Sequence, residues 1–255
     1  MARSLVGLGL GKGDVVSVVL PNCLEYPAIV LGCLYLGLTV SPANPAYTPH
    51  EVSRQLRASG AKLIFGHSTQ ADKIKQTLDI MGDQESINVL MVGDRTDNCH
   101  GFVHWNDFLS SSSGKVPDQA VIDVKRDVAV LPFSSGTTGI PKEGLQSYQF
   151  RFTNPLLCVQ GVALSQHNLV AGSHTLGTND PEFIFAAAGT RQEVTITVLP
   201  MYHIYGLNVT MTSALHFGVK QVWIIQGRPD NLALFSMDHK TPPKATKKKN
   251  ARLFG

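Results

Sequence analysis

The chain has 255 residues, 43% of them hydrophobic and 16% charged, enough apolar material for one large α/β domain or two small ones. The formal net charge is +3, yet residues 240–255 hold six of the 22 Lys and Arg and no acid, so the body carries 16 basic against 19 acidic groups. Nothing in a body of net charge −3 suggests a nucleic-acid face, and the Lys-rich end reads as a solvated tail.

Cys23, Cys33, Cys99 and Cys158 lack C-x-x-C spacing, and Cys23 and Cys33 read as reduced core residues of an intracellular protein. Cys99, His100 and His104 lack a fourth ligand at finger-like spacing and read as incidental neighbours rather than a metal site. No secretory leader is visible, and the apolar run over 23–40 contains Glu25 and Pro27, so it reads as a buried helix and not a membrane span.

In chain order, Gly7-Leu-Gly-Leu-Gly-Lys-Gly13 precedes a strand pattern, whereas a dinucleotide loop follows one; it reads as a helix end plus a turn. A β-branched run over 15–20 predicts a strand, residues 24–36 a helix, and 39–41 an extended segment before Pro42, Pro45 and Pro49. Thr48 caps a helix over 50–59; then come a strand over 62–65, a helix over 69–81 and a strand over 88–92. Residues 110–117 are a polar linker. This alternation predicts the α/β class, a mainly parallel layered sheet with helices on both faces and ligands at the carboxyl ends of its strands.

From that edge the apolar run 128–133 leads into Ser134-Ser-Gly-Thr-Thr-Gly-Ile-Pro-Lys142. Gly136 and Gly139 let the backbone approach a ligand closely, successive N–H groups converge on an anion, and Ser134, Ser135, Thr137 and Thr138 add hydroxyls. Lys142 adds a compact positive charge behind the stiff Pro141. The stretch suits phosphate binding, although a Walker loop is excluded because Ile140 and Pro141 separate Gly139 from Lys142 and Glu143 follows. Further on, Val198-Leu-Pro-Met-Tyr-His-Ile-Tyr-Gly-Leu207 ends an apolar strand and presents His203 and Tyr205; the imidazole is a donor in either protonation state.

Both stretches resemble signatures of the AMP-forming adenylate synthetases, the acyl-CoA ligases, 4-coumarate–CoA ligases and firefly-type luciferases. The first is similar to their phosphate loop and the second to their Leu-Pro-x-x-His-x-x-Gly segment. Gly161-Val-Ala-Leu-Ser-Gln-His-Asn-Leu-Val170, Leu20-Pro-Asn22, Asn44-Pro-Ala-Tyr-Thr-Pro49 and Ser59-Gly-Ala-Lys62 extend the likeness toward the 4-coumarate–CoA ligase type. The resemblance implies a Rossmann-like part of a large N-terminal domain over 1–225 and an enzyme that converts a small-molecule carboxylic acid with ATP to acyl-AMP. Coenzyme A then takes the acyl group as a thioester. It implies ATP phosphate contacts from Ser134, Ser135, Gly136, Thr137, Thr138, Gly139 and Lys142, with Mg²⁺ reaching Thr138 through the phosphates. His203 is expected beside the carboxylate as the catalytic and substrate-binding group, with Tyr205 walling the acyl pocket. The implied compartment is the cytoplasm or the peroxisome.

The sequence also departs from that pattern. Residues 143–160 form an atypical apolar insert between Lys142 and Gly161, which is expected to displace the strand that braces the loop. Residues 226–255 read as a disordered tail outside the family pattern, without strand or helix period. The later adenine-binding motif, the ribose aspartate and the C-terminal lysine domain have no counterpart, and both ends read as cut. The expectation is a chain inactive by itself; the alternative is a non-catalytic remnant that binds phosphate weakly.

Overall fold

The computed structural model describes residues 1–82, 87–95, 99–111, 113, 115–135, 159–179, 193–224 and 232–235. A short helix α1 (Ala2–Gly7) ends at Leu8 and passes through Gly9 and Gly13, both at positive φ, into β1 (Val15–Val19). The glycine-rich stretch is therefore the helix end and turn expected of it, held by Gly13 N–H on the Gly37 carbonyl at 2.9 Å. Helix α2 (Tyr26–Tyr35), β2 (Thr39–Pro42), α3 (Pro49–Ser59), β3 (Ala61–His67), α4 (Ala71–Met81) and β4 (Asn88–Val92) follow as alternating units. Then come β5 (Val103–His104), α5 (Trp105–Ser110), β6 (Val128–Val130), β7 (Phe133–Ser135), β8 (Val159–Gly161), β9 (Leu164–Ser165) and α6 (Gln166–Asn179).

Among the described residues the main sheet runs β5-β4-β3-β1-β2-β6-β9, parallel except for β9. Crossover helices make such pairing possible and cover both faces. The side-chain alternation shows this directly. Val16, Val18, Leu63, Phe65, Leu90 and Val92 face a core shared with α2 and α5. Ile64, Val89 and Met91 face a second core with Val52 and Leu56 of α3 and Ile74 and Leu78 of α4. Phe65 is fully buried and meets Trp105 edge-on at 6.1 Å. Such a side chain contributes about 1.5–3 kcal/mol through burial alone.

Helix α3 starts with a reciprocal cap: Glu51 N–H donates to Thr48 Oγ1 at 3.3 Å, and Thr48 N–H donates to Glu51 Oε2 at 2.7 Å. It stops at Gly60, whose φ of 65° turns the chain straight into β3. The polar linker after α5 is strapped down, with Ala120 N–H on Tyr35 O at 3.1 Å and Tyr35 Oη on Pro117 O at 3.1 Å. His104 caps α5 by accepting from Asn106 N–H at 3.2 Å and sets its other ring nitrogen 2.9 Å from Gly93 O. No group of three His, Cys, Asp or Glu side chains that could hold a metal ion occurs among the described residues.

The second part of the chain contains β10 (Val194–Thr197), a π-helical segment (Tyr205–Thr212), α7 (Ser213–His216), β11 (Lys220–Ile224) and β12 (Leu232–Phe235). Two expectations are corrected here. The bracing strand is not displaced: β8 returns antiparallel to β7, pairing Phe133 with Gly161 and Ser135 with Val159. Lengthening a connection adds only about 0.6 kcal/mol of closure entropy per doubling, so pairing survives the insertion. The tail is not devoid of strand either, since the apolar run Leu232-Ala-Leu-Phe235 adds antiparallel to β11. Residues 143–158, and the remainder of 226–255, lie outside the described residues. No described helix is long and apolar enough to cross a membrane.

Candidate functional site

The carboxyl ends of β2 and β6 open into a cavity of about 430 Å³. Pro42, Asn44 and Tyr47 line it after β2, Pro132 and Phe133 after β6, and Tyr202, His203 and Ile204 close the far wall. This is the edge the sheet pattern predicted. Its chemistry is an apolar surface with a few polar groups, as small-molecule sites commonly have. Gln55, 2% exposed on α3, also lines it, with its amide donating to Pro42 O at 2.9 Å.

The turn that carries His203 is built by close backbone approach. Leu199-Pro200-Met201 is held from β1's exit by the Asn22 amide, at 3.0 Å to Leu199 O and 2.8 Å to Met201 N. Tyr26 Oη donates to Met201 O at 3.1 Å; burial, then neighbouring Cys23 and Tyr202, push its phenol well above the usual range, so it remains a donor. His203 N–H donates to Pro200 O at 3.1 Å, and Gly206 packs so tightly that a Cβ there would lie 2.0 Å from Pro200 O. The imidazole Nδ1 accepts from Tyr205 N–H at 3.3 Å, which leaves Nε2 to carry the hydrogen of the neutral ring. The following π-helical segment is supported by hydroxyl-to-carbonyl bonds, Thr212 to Leu207 at 2.8 Å and Ser213 to Asn208 at 2.9 Å.

The structure thus brings His203 and Phe133, the residue entering the Ser/Thr/Gly loop, to one cavity. Ser134 and Ser135 are described only as backbone of β7, and Gly136, Thr137, Thr138, Gly139 and Lys142 lie outside the described residues. Tyr205 is not among the cavity-lining residues; it is 46% exposed at the start of the π-helical segment. Tyr202 and Ile204, on either side of His203, line the cavity instead, and sequence reasoning did not single them out. Nor did it find Gln55 as a cavity residue or Asn22 and Tyr26 as supports, although Leu20-Pro-Asn22 had stood out as a motif.

A second cavity of about 370 Å³ lies at the opposite edge, near Lys12, Thr39, Arg57 and Arg126. Its cations serve the fold: Lys12 pairs with Asp127 at 2.6 Å, and Arg57 donates to the Ile80 and Met81 carbonyls at 3.0 and 3.2 Å. Its lining includes Gly13, Ser59 and Gly60 but no described residue of the Ser/Thr/Gly loop or of the His203 segment.

The fold is a doubly wound α/β sheet, mainly parallel, with a cavity at its carboxyl edge that Phe133 and His203 both line. The chain belongs to the AMP-binding enzyme family, whose model matches residues 1–149. It is 32% identical over 225 residues to "4-coumarate–CoA ligase 2" of Oryza sativa subsp. japonica, a match covering 85% of this chain and 35% of the relative. The chain therefore spans about a third of the length of that relative. A red-emitting luciferase from Phrixothrix hirtus superposes with a TM-score of 0.67 at 20% identity, covering 89% of this chain and 38% of the luciferase. The N-terminal domain of FACL13 from Mycobacterium tuberculosis gives 0.62 at 19% identity, covering 89% of this chain and 47% of that domain. The mixed α/β architecture with a mainly parallel central sheet is that of the N-terminal domain of adenylate-forming acyl-CoA ligases.

Proposed function

We propose that the chain carries the carboxylate-binding and phosphate-approach edge of an AMP-forming acid–CoA ligase of the 4-coumarate–CoA ligase type. The observation that supports this most is the shared cavity, in which His203 faces the exit of β6 that feeds the Ser/Thr/Gly loop. A planar aryl carboxylate suits the space: Phe133, Tyr202 and Ile204 take the ring, and His203 Nε2–H donates to the carboxylate. Residues 134–139 and Lys142 hold the phosphates of ATP in this reading. Bringing carboxylate and triphosphate together opposes two anions, and neutralising that charge is the main chemical task. Thr138 with phosphate oxygens is an all-oxygen donor set, as Mg²⁺ prefers, and the ion when bound supplies further neutralisation. Coenzyme A is the acceptor of the acyl group in the complete reaction, and the compartment is the cytoplasm or the peroxisome.

The 255-residue chain alone is catalytically incomplete in this proposal, because it spans only about 35% of the ligase it resembles. Titrating 4-coumarate by ligand-observed NMR tests the site. Saturable binding that weakens about tenfold in His203→Ala, equivalent to about 1.4 kcal/mol, supports it; binding that is absent or indifferent to His203 refutes it. Carboxylate-dependent ATP–pyrophosphate exchange above a Lys142→Ala control would overturn the incompleteness.

A further inference from the structure

Leu20-Pro-Asn22 and the His203 turn are 177 residues apart at their nearest bonded positions, yet they meet in the fold. Asn22 is 9% exposed and spends both ends of its amide on this contact, Nδ2 on the Leu199 carbonyl and Oδ1 on the Met201 N–H. The amide orientation follows from those partners, since a carbonyl requires a donor and an N–H requires an acceptor. With Tyr26 Oη on Met201 O, three side-chain bonds fix the backbone on both sides of Pro200 from residues anchored beside the central strand. Pro200 O then receives His203 N–H at 3.1 Å, His203 O receives Leu207 N–H at 2.9 Å, and the ring receives Tyr205 N–H.

We propose that Asn22 is a positioning residue for His203, and that the Leu-Pro-Asn motif exists in this chain to orient the imidazole toward the cavity. Its importance for substrate rests on the carboxylate reading given above; the positioning itself does not. Asparagine suits the task because one short side chain supplies a donor and an acceptor to backbone groups two residues apart. Aspartate keeps the acceptor but sets a second oxygen against the Leu199 carbonyl, and alanine removes both contacts.

The test uses the full 255-residue chain with ¹³C,¹⁵N-labelled histidine, the His203 signals being assigned by their loss in His203→Gln. Asn22→Ala is expected to move the His203 Cε1–H and ring-nitrogen resonances toward those of a free histidine side chain, and Asn22→Asp to move them less. Val30→Ala is the control, because it opens the same buried core without removing a side-chain hydrogen bond to the turn. Unchanged His203 resonances in Asn22→Ala, or equal movement in Val30→Ala, overturn the proposal. Where Asn22→Ala fails to fold, Asn22→Asp and Tyr26→Phe are read by the same criterion. Adding 4-coumarate separates the two readings: resonances that respond to Asn22 but not to the acid leave the positioning intact and remove the carboxylate assignment.

Discussion

Gly206→Ala sets two opposing effects against each other in the same helical segment. Alanine gains about 0.5–1 kcal/mol over glycine in a helix interior, so propensity alone predicts stabilisation. The added Cβ, however, would sit 2.0 Å from Pro200 O, 2.6 Å from Pro200 C and 3.2 Å from Leu199 O. Carbon–oxygen contacts in proteins settle near 3.3–3.6 Å, so relief requires a backbone movement of more than an ångström, not a rotamer change. Overpacking of this kind costs about 1–3 kcal/mol, and losing the His203 N–H bond to Pro200 O adds about 1. The net expectation is a loss of about 2 kcal/mol, or about 4–8 °C in Tm for a chain of this size. Gly32→Ala in α2 is the matched control. Its Cβ would meet the flexible Met1 Cγ at 2.5 Å and Met1 Cβ at 3.2 Å, so the Met1 side chain yields and the change is neutral to about 1 kcal/mol stabilising. Urea and thermal unfolding of both variants decide the matter: a Tm for Gly206→Ala equal to or above wild type would refute the argument that close backbone packing builds the His203 turn.

Thr48→Ala should cost about 1 kcal/mol in urea unfolding by removing the α3 cap. Glu51 of the same cap has its carboxyl held below the usual range by the Thr48 N–H and then the Thr48 hydroxyl. Its contribution is therefore fully present above the ordinary glutamate range and is lost as pH falls through the lower folded value. Glu51→Gln should flatten that part of the acid limb of a stability–pH curve, and an unchanged limb would count against the cap. In a Cys158→Ser background, Ellman's reagent should find one fast thiol, Cys99. Burial, reinforced by Glu25, pushes the Cys23 thiol up, and burial alone pushes Cys33 to about 12, so rapid labelling of either would contradict the core. Val194 and Ile196 on the outer strand β10, and Val198 just after it, stand 55%, 63% and 59% exposed, so Ile196→Thr should change stability by less than about 0.5 kcal/mol while reducing light scattering on concentration.

The parallel α/β class, the Thr48 cap and the glycine turn before β1 were all legible in the sequence. Each depends on periods of two or 3.6 residues, or on a cap within four residues, so neighbours along the chain suffice to encode it. The family, too, was carried by contiguous motifs. Tertiary structure alone decided which residues share the cavity: Tyr202 and Ile204 with His203, Gln55 from α3, and not Tyr205. It also brought β8 back to β7 and added β12 to β11. Above all, it closed Asn22 onto Leu199 and Met201. No local pattern specifies contacts across such separations; they form because burying β1, α2 and the Leu-Pro turn together leaves the turn's backbone groups in need of partners, and the Asn22 amide and the Tyr26 hydroxyl supply them.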